Sequence, residues 1–570
     1  MVSLIYRAAL AALFSSSITM PVYADTGAGS YLAGRQAIYE NDYSAAEKYY
    51  AQALKFDPQN QLLLESVVVA RLALGQVERA LPVAQSLQNA NLPSQAARIV
   101  IAANLIEEGQ FQDVLDRNVE TQGIGPLVDG LMTAWAHLGQ GEMTKAIEQF
   151  DTVSTQDGLR DFALYHKAMA LASIGDFEGA EAIFDANGGA VARFSRRAAL
   201  ARAEVLSQLD RNEDAVQFLD DVFAVGSDPS IEDYAARLSE GETLPFTHVQ
   251  SAQDGMAEIF FSVGAALNAE ASHDYVLLYS RTASFLRSDH VDAILLSAEL
   301  LSDLNQLDLA VEAYRQVPPG STDHHVAELG RAEVLGLSGK TDAAVEVLQS
   351  LATQKPDLPS VHIALADLQR RQENYDLAVA SYDTAIALTD GAASGNWFLH
   401  YARGISHERL KNWDQAETDF RRALELNPDQ PQVLNYLGYS LVERQEKLDE
   451  ALGMIERAVA ARPDSGYIVD SLGWVLFRLG RYDEAVDQME RAVELMPVDP
   501  VVNDHLGDVY WAVGRAREAE FQWKRALSFI DPKDMDGEAD PERIRRKIDV
   551  GLDVVLAEEG ADPLTVANGN

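Results

Sequence analysis

The chain repeats one pattern about every 34 residues, and this periodicity restricts its fold more than any other feature. A small residue is followed four positions later by a large apolar residue and seven positions later by alanine, as in WDQAETDFRRALELNP (413–428). We call the small residue the anchor of its repeat; the anchors are Ala46, Ala80, Val114, Ala146, Ala180, Ala215, Val276, Ala310, Ala344, Ala378, Ala416, Ala451, Ala485 and Ala519. A period of roughly 20–50 residues indicates a stack of supersecondary units rather than a series of ordinary domains.

A second small residue precedes most anchors by twelve positions. It is Gly34, Ala102, Ala134, Ala168, Ala203, Gly264, Ala298, Ala332, Ala366, Gly404, Gly473 or Gly507. Val68 departs from the pattern, and Gly438 fits it if the Ala451 repeat carries one extra residue in its turn. Two antiparallel helices approach closely only where side chains are small, and a bulky residue there would cost about 1–3 kcal/mol. The pattern therefore predicts an all-α chain of paired helices.

Two further positions support helix pairs. The large residue four positions after the anchor is expected to fill the gap between one unit and its neighbour. Proline follows several anchors by twelve positions, at Pro58, Pro356, Pro428, Pro463 and Pro497. Since proline lacks the N–H group that continues a helix, we expect these residues to end the second helix of each pair.

The spacing and the segments NYLGYSL (435–441), DSLGWVLFRLGRYDEA (470–485) and NDHLGDVYWAVGRAREA (503–519) resemble the tetratricopeptide repeat. The likeness covers most of residues 27–531 and is weakest around Val114. It implies a right-handed α-solenoid of about fourteen helix-turn-helix units with a concave groove. A solenoid needs a polar cap at its end, and PERIRRKIDVGLDVVLA (541–557) is expected to be a C-terminal capping helix, with Ile544, Ile548, Leu552 and Val555 at helical spacing.

The N-terminus is typical of an export signal. Arg7 precedes an apolar run, Ala8–Phe14, and Ala24 follows Val22 at the spacing of a cleavage site. We therefore predict a signal peptide over residues 1–24 and a periplasmic mature protein. No later window is long and apolar enough for a transmembrane helix, and the absence of cysteine leaves no residue for a lipid-modified N-terminus.

The remaining chain divides into four predicted segments. An N-terminal array covers residues 25–225 and a C-terminal array covers 253–531, with an irregular insertion at 226–252 between them. The insertion is either a surface excursion or a loop that enters the groove through Leu244, Pro245 and Phe246. Residues 532–570 form the cap and a tail that is expected to be disordered.

Charge and motifs exclude several classes of protein. The chain has 46 Lys and Arg against 88 Asp and Glu, a net charge of −42. This surplus opposes binding to nucleic-acid phosphates or anionic lipid. Gly339-Lys340-Thr341 lacks the earlier glycine of a phosphate loop, and His407-Glu408 lacks the second histidine of a zinc peptidase. With no nucleophile, metal set or cofactor cradle, we predict a non-catalytic protein without a cofactor.

The inner surface of the array is the remaining candidate site. In the tetratricopeptide repeat the first helix of each unit lines the groove, and positions fifteen, eleven and eight before the anchor face it. The residues selected in this way are Trp135, Tyr401, Glu408, Asn435, Tyr439, Asp470, Trp474, Phe477, Asp504, Asp508 and Trp511. Aromatic rings flanked by carboxylates suit extended peptides with apolar and basic residues.

Two functions are consistent with such a surface. The first is a scaffold or adaptor that binds other proteins or peptides in the cell envelope. The chain resembles large exported or lipoprotein tetratricopeptide proteins of Gram-negative bacteria, some of which present substrates to a periplasmic protease, although those adaptors carry a lipid-modified cysteine. The second is a polysaccharide- or peptidoglycan-binding component of envelope biogenesis or export, whose aromatic residues would stack on sugar rings.

Overall fold

A computed structural model describes residues 27–193, 195–223, 228–389, 394–531, 539–561 and 564. The predicted signal peptide and the residues from 565 onward lie outside this part of the chain. Within it, every regular element is helical and no strand occurs, which confirms the predicted all-α fold. The chain divides into two compact units, residues 1–351 (unit 1) and 352–570 (unit 2).

Unit 1 begins with six helix pairs. Their bounds are α1 (Gly27–Tyr39), α2 (Tyr43–Leu54), α3 (Gln61–Ala73), α4 (Val77–Asn89), α5 (Gln95–Glu107), α6 (Phe111–Asp116), α7 (Val119–Gln122), α8 (Pro126–Gly139), α9 (Met143–Ser154), α10 (Arg160–Ser173), α11 (Phe177–Gly189), α12 (Arg196–Gln208) and α13 (Asn212–Val222). The second helix of the third pair, α6, is only six residues long and is followed by the short α7. This is the repeat around Val114, where the sequence pattern is weakest.

The rest of unit 1 comprises one additional helix and three more pairs. These are α14 (Pro229–Ser239), α15 (Ala252–Leu267), α16 (His273–Leu286), α17 (Val291–Asp303), α18 (Leu307–Tyr314), α19 (His324–Leu337) and α20 (Thr341–Gln354), the last of which crosses the unit boundary. The predicted insertion is thus partly regular, because Asp228 caps α14 by accepting hydrogen bonds from the N–H groups of Ser230 and Ile231.

Unit 2 contains five pairs and two short terminal helices. They are α21 (Pro359–Arg371), α22 (Tyr375–Leu388), α23 (Trp397–Arg409), α24 (Trp413–Leu426), α25 (Pro431–Glu443), α26 (Leu448–Ala461), α27 (Gly466–Arg478), α28 (Tyr482–Leu495), α29 (Pro500–Ala512), α30 (Ala516–Phe529), α31 (Pro541–Val550) and α32 (Leu552–Glu558). A 3-10 turn over Ser394–Asn396 precedes α23.

The sequence pattern locates the packing of each pair. All fourteen anchors are buried on second helices. A Cβ atom added at Gly404 or Gly473 would lie 2.7 Å from the side chain of Phe420 or Met489, the residue four positions after the anchor of the same repeat. The large residue therefore fills the space inside its own pair at these sites, whereas at Tyr314 the small partner is Gly330 of the following pair. We expected this large residue to pack between units, but it packs within its own pair at Phe420 and Met489 and between pairs at Tyr314.

The turns within pairs also follow the sequence. Gly339 has φ 74° in the turn between α19 and α20, and Lys340 binds the carboxylate of Asp308 at 2.5 Å, so this GKT sequence is a helix connection. The turn between α25 and α26 contains one residue more than the turn after α27, and both Gln445 and Lys447 in it have positive φ. The extra residue of the Ala451 repeat therefore lies in the turn, as predicted.

The predicted C-terminal cap is present but consists of two helices. Gly551, with φ 86°, separates α31 from α32. Ile544, Leu552 and Val555 are buried and Ile548 is partly buried against the last repeats. No helix in the described part of the chain is long and apolar enough to cross a membrane.

Candidate partner-binding groove

The inner surface of unit 1 is covered by helices of the same unit. Trp135 lies on the first helix of its pair, as predicted, but its side chain is fully buried. The indole packs against the backbone of Gly255 on α15, where any Cβ atom would collide with the ring. Contrary to our expectation for a groove residue, Trp135 therefore presents no surface to a partner.

Trp135 also determines the state of a buried histidine. Its Nε1–H donates to Nδ1 of His166 at 3.2 Å, and Nε2 of His166 lies 3.2 Å from the hydroxyl of Ser262 on α15. Because an indole N–H can only donate, Nδ1 must be unprotonated. Burial lowers the pKa of His166 to about 4, so the neutral ring links α8, α10 and α15.

A buried carboxylate joins α15 to three other helices. Glu258 accepts hydrogen bonds from the hydroxyl of Tyr165 (2.8 Å), from Nε of Arg197 (2.7 Å) and from Nε2 of His290 (3.2 Å). Burial alone would raise the pKa of Glu258, but the Arg197 guanidinium and His290 outweigh this effect and hold it well below its usual range. This cluster of paired polar groups connects α15 with α10, α12 and the start of α17.

Helix α16 and the predicted insertion extend this cover. Tyr275 on α16 donates its hydroxyl to Oε1 of Gln95 on α5 at 3.0 Å. In the insertion, Leu244 is buried, and its N–H donates to the hydroxyl of Ser207 on α12 at 2.9 Å. Thr247 donates its N–H and its hydroxyl to Glu204 of the same helix. The insertion thus packs on α12, and the inner positions of unit 1 are used internally.

Unit 2 has an exposed stretch of inner surface on α23 and α25. Tyr401 is half-buried, with its ring edge-on to Tyr436 at 5.8 Å and tilted against Phe420 at 6.1 Å. Burial raises the pKa of Tyr401, so it is a neutral phenol at physiological pH. Glu408, eight positions before the anchor, accepts a 3.4 Å hydrogen bond from the hydroxyl of Tyr436 and stays partly exposed.

The neighbouring helix contributes Asn435 and Tyr439, both partly exposed. The side-chain oxygen of Asn435 is buried, and no described residue donates a hydrogen bond to it. An unsatisfied buried acceptor costs about 1–3 kcal/mol, and because this oxygen is buried, a bound peptide could reach only the exposed part of the Asn435 side chain. Tyr401, Glu408, Asn435 and Tyr439 are the predicted groove residues of α23 and α25 that stay partly exposed, and we call this candidate site the open groove of unit 2.

The predicted groove residues of α27 are packed. Trp474 is 8% exposed, and its ring stacks on Phe477 at 4.9 Å and on His505 at 4.0 Å. Its Nε1–H donates to Glu443 at 2.7 Å. Asp470 is buried and contacts Nδ1 of His505 at 3.1 Å. These side chains bind one another and stabilise the interface between α25, α27 and α29.

The last predicted groove residues are bound by the cap. The buried Nζ of Lys547 lies 2.6–2.9 Å from all four carboxylate oxygens of Asp504 and Asp508. Burial and the neighbouring Asp508 raise the pKa of Asp504, although Lys547 opposes that shift. Trp511 donates its Nε1–H to Asp553 of α32 at 3.1 Å. The inner surface of α29 is therefore occupied by residues 541–558.

Two groove residues were missed by the sequence analysis. Phe398 and Tyr467 lie three positions before Tyr401 and Asp470 on the same helices, so they share the inner face. Their side chains are 37% and 64% exposed, which makes them the exposed aromatic residues of this surface. Counting eighteen positions before the anchor, in addition to fifteen, eleven and eight, would have found both.

No group of three or more His, Asp or Glu side chains in the described ranges is arranged to hold a metal ion. The candidate surface described above consists of aromatic, amide and carboxylate groups.

Comparison with known proteins assigns the repeat. The family described as "Tetratricopeptide repeat" matches residues 31–96, 131–186, 329–393, 401–466 and 441–500, together half of the chain. A TPR repeat-containing protein, PA4667 of Pseudomonas aeruginosa, is 30% identical over 172 residues, which are 30% of this chain and 28% of the relative. Human protein O-mannosyl-transferase TMTC1 is 25% identical over 182 residues, 31% of this chain and 20% of that protein. The chain thus matches less than a third of the length of either relative.

Solved structures are similar at lower identity. The Cut9 and Hcn1 hetero-tetramer of the APC/C matches 91% of this chain and 96% of its own with a TM-score of 0.37 at 15% identity. YrrB, a TPR protein, matches 34% of this chain and 95% of its own with a TM-score of 0.28 at 21% identity.

Proposed function

The chain belongs to the tetratricopeptide repeat family, whose members generally act as protein-interaction scaffolds, and on this premise we propose that it binds partner proteins through the open groove of unit 2. The main support for this proposal is that the residues of the open groove are partly exposed, whereas other predicted groove residues are packed against parts of the same chain. Aromatic side chains at Phe398, Tyr401, Tyr439 and Tyr467 supply apolar contact area there, and Asn435 supplies a polar group.

The preferred ligand is an extended peptide segment with apolar side chains. Asp470, Asp504 and Asp508 have partners inside the chain, so the acidic wall expected from the sequence is reduced to Glu408 and Glu443 in this part of the surface. Recognition through rings and a few hydrogen bonds is typical of interfaces in which a small number of residues supply most of the binding energy.

A photocrosslinking experiment tests the groove. A photoreactive amino acid at position 398 or 439 should crosslink the same partner in the native host. The matched control is position 521, since Phe521 is exposed on the second helix α30. The purified partner should then bind the Tyr401→Ala/Tyr439→Ala variant at least tenfold more weakly, with an unchanged far-UV spectrum. Equal crosslinking from position 521, or unchanged affinity, would contradict the proposal.

We further propose that the protein works in the bacterial cell envelope, as an exported periplasmic scaffold or adaptor. The sequence supports this through the apolar run Ala8–Phe14 and the small residues before Asp25. Presentation of substrates to a periplasmic protease is the specific role that we favour. N-terminal sequencing of the mature protein from a periplasmic fraction should begin at Asp25, and a carboxyl-terminal processing protease should co-purify with it.

We propose a non-catalytic role, and the O-mannosyl-transferase name of one relative is not carried over because the match spans 20% of that protein. The alternative function is binding of polysaccharide or peptidoglycan through aromatic stacking. The ring of Tyr467 is exposed and could stack on a sugar, whereas the ring of Trp474 is already stacked on Phe477 and His505. Sedimentation of the purified protein with peptidoglycan, lost on Tyr467→Ala, would favour this alternative.

A further inference from the structure

Arg281 on α16 is a buried cation with an incomplete set of partners. Arg281 is 7% exposed, and its Nε–H donates a hydrogen bond to the carbonyl oxygen of Ala73 at 3.1 Å. Among the described residues no acceptor binds its two terminal nitrogens, and no carboxylate lies within 4 Å of the guanidinium. Arginine keeps its charge in proteins, and an uncompensated buried charge is unfavourable.

Arg202, another buried arginine, provides a contrast. Arg202 forms ion pairs with Glu181 and Asp185 at 2.9 and 2.8 Å. Burial lowers the pKa of Arg281 to about 10, with no charged group acting against it, whereas carboxylate partners raise the pKa of Arg202. Among the described residues, no carboxylate forms an ion pair with Arg281.

The guanidinium lines a cavity of about 190 Å³ between the turn after α3, helix α16 and helix α18. Phe285 and Leu309 form part of its apolar wall, and Gly75 lies on the opposite side, where a Cβ atom would be 4.0 Å from Nη1 of Arg281. Glu312 also lines the cavity, but its carboxylate is paired with Arg315 at 2.5 Å. The cavity is open to solvent on one side and therefore combines a cation that lacks a carboxylate partner among the described residues with partly apolar walls.

We propose that Arg281 is the binding site for a small oxyanion, an inorganic phosphate or a short carboxylate. The fork of two terminal nitrogens matches the two oxygens of such an anion, which is the geometry of the strongest arginine contacts. The volume of about 190 Å³ admits an ion of this size. A bound oxyanion would neutralise Arg281 and connect the turn after α3 with α16 and α18. This site goes beyond the proposed protein-binding groove and is independent of it.

Binding of inorganic phosphate to the full chain, followed by ³¹P line broadening at constant ionic strength, tests the proposal. The wild type should bind phosphate saturably, and Arg281→Met should weaken binding at least tenfold. Arg281→Lys, which keeps the charge but loses the fork, should also weaken it and serves if the first variant does not fold. The control Arg237→Gln alters a partly exposed arginine on α14 that does not line the cavity, and it should leave phosphate binding unchanged. Acetate in place of phosphate shows whether a carboxylate is accepted.

A second readout separates a ligand site from a purely structural role. Phosphate should raise the unfolding midpoint of the wild type and have a much smaller effect on Arg281→Met, because only a protein that binds the ion is stabilised by it. The proposal is overturned if neither phosphate nor acetate binds the wild type. It is also overturned if Arg281→Met or Arg281→Lys binds them equally well, or if chloride competes at equal concentration.

Discussion

The inner surfaces of the two units are built from the same repeat but are used differently. In unit 1 the inner helices α8, α10 and α12 pack against α15 and the insertion through Trp135, Glu258 and Glu204. In unit 2 the inner helices α23 and α25 leave Tyr401 and Tyr439 partly exposed. A groove is therefore available for partners only where the chain does not fill it, and repeat register alone does not distinguish the two cases.

The difference appears in the chemistry of equivalent positions. Fifteen residues before the anchor, the Val114, Ala146 and Ala215 repeats of unit 1 have the buried apolar residues Ile99, Leu131 and Leu200. At this position the Ala416 repeat of unit 2 has the partly exposed Tyr401, and the Ala451 repeat, with its one extra residue, has the partly exposed Asn435. Apolar inner positions need a cover, because exposed apolar surface is unfavourable in water. These apolar residues indicate a covered inner surface in the three repeats that carry them, but Glu65 in unit 1 and Ile363 in unit 2 show that this position alone does not separate the two units.

Removing the central carboxylate of unit 1 is expected to have the largest effect. Glu258→Ala removes the buried carboxylate that Arg197, Tyr165 and His290 bind, although Arg197 keeps Asp292 at 2.7 Å. Loss of one partner from a buried pair costs about 3–5 kcal/mol. Hydrogen exchange of peptides from α8 and α15, read by mass spectrometry, should show this loss of stability.

The matched control in unit 2 is Glu408→Ala, which removes an inner carboxylate with one long hydrogen bond from Tyr436. It should cost less than about 1 kcal/mol. Similar losses for both variants would show that the inner surface of unit 1 is no more tightly packed than that of unit 2, and the comparison would be wrong.

Acid should weaken unit 1 through His166. Its pKa is about 4 in the folded chain and about 6.5 when unfolded, so the unfolded state takes up the extra proton as pH falls between these values. The contribution to stability is complete above pH 6.5 and decreases by about 2–3 kcal/mol on going from pH 7.5 to 4.5. His166→Asn can still accept from Trp135 but does not titrate, so its exchange-derived stability should fall less over this range.

The control for the pH effect is His273→Asn, because His273 is partly exposed at the start of α16. The stability of this variant should equal that of the wild type at pH 7.5 and at pH 4.5. If His166→Asn and the wild type lose equal stability between pH 7.5 and 4.5, the neutral histidine does not contribute to the acid sensitivity of unit 1.

A smaller loss is expected from Gly255→Ala. The added methyl group meets the indole of Trp135, which is itself enclosed by Phe150 and His166. Overpacking of this kind costs about 1–3 kcal/mol. The control Gly453→Ala lies on α26 with no atom within 4 Å of the new methyl group, and it should be stabilising by about 0.5–1 kcal/mol because alanine favours the helix. Urea unfolding of both variants measures the difference, and equal changes would contradict the close contact between α15 and α8.

Much of the local fold could be predicted from the sequence, because the repeat encodes contacts between neighbouring helices. The small residues Gly404 and Gly473, the anchors and the lengthened turn at Gln445 all follow from this register. The packing of α15 on α8 could not be predicted in this way. It joins residues more than a hundred positions apart, and the contact depends on the curvature of the array, which a nearest-neighbour pattern does not specify.

The groove prediction has the same limit. Position counting identified inner helices, and the four residues of the open groove stay a prediction for partner binding. Counting could not show that Lys547, 43 positions after Asp504, would neutralise the acidic pair on α29. It also selected Trp474 and Trp511, whose truncation would now be expected to disturb packing as well as any partner contact.

Asn435 offers the sharpest distinction between a packed and an open inner surface. Its buried side-chain oxygen has no donor among the described residues, so Asn435→Ala removes an unsatisfied group rather than a contact. Stability should then stay within about 1 kcal/mol of the wild type or increase, measured by urea unfolding, while affinity for a crosslinked partner should fall. A fold that loses several kcal/mol on this change would show that Asn435 has a structural partner, and the α25 surface would then be as fully occupied as the interior of unit 1.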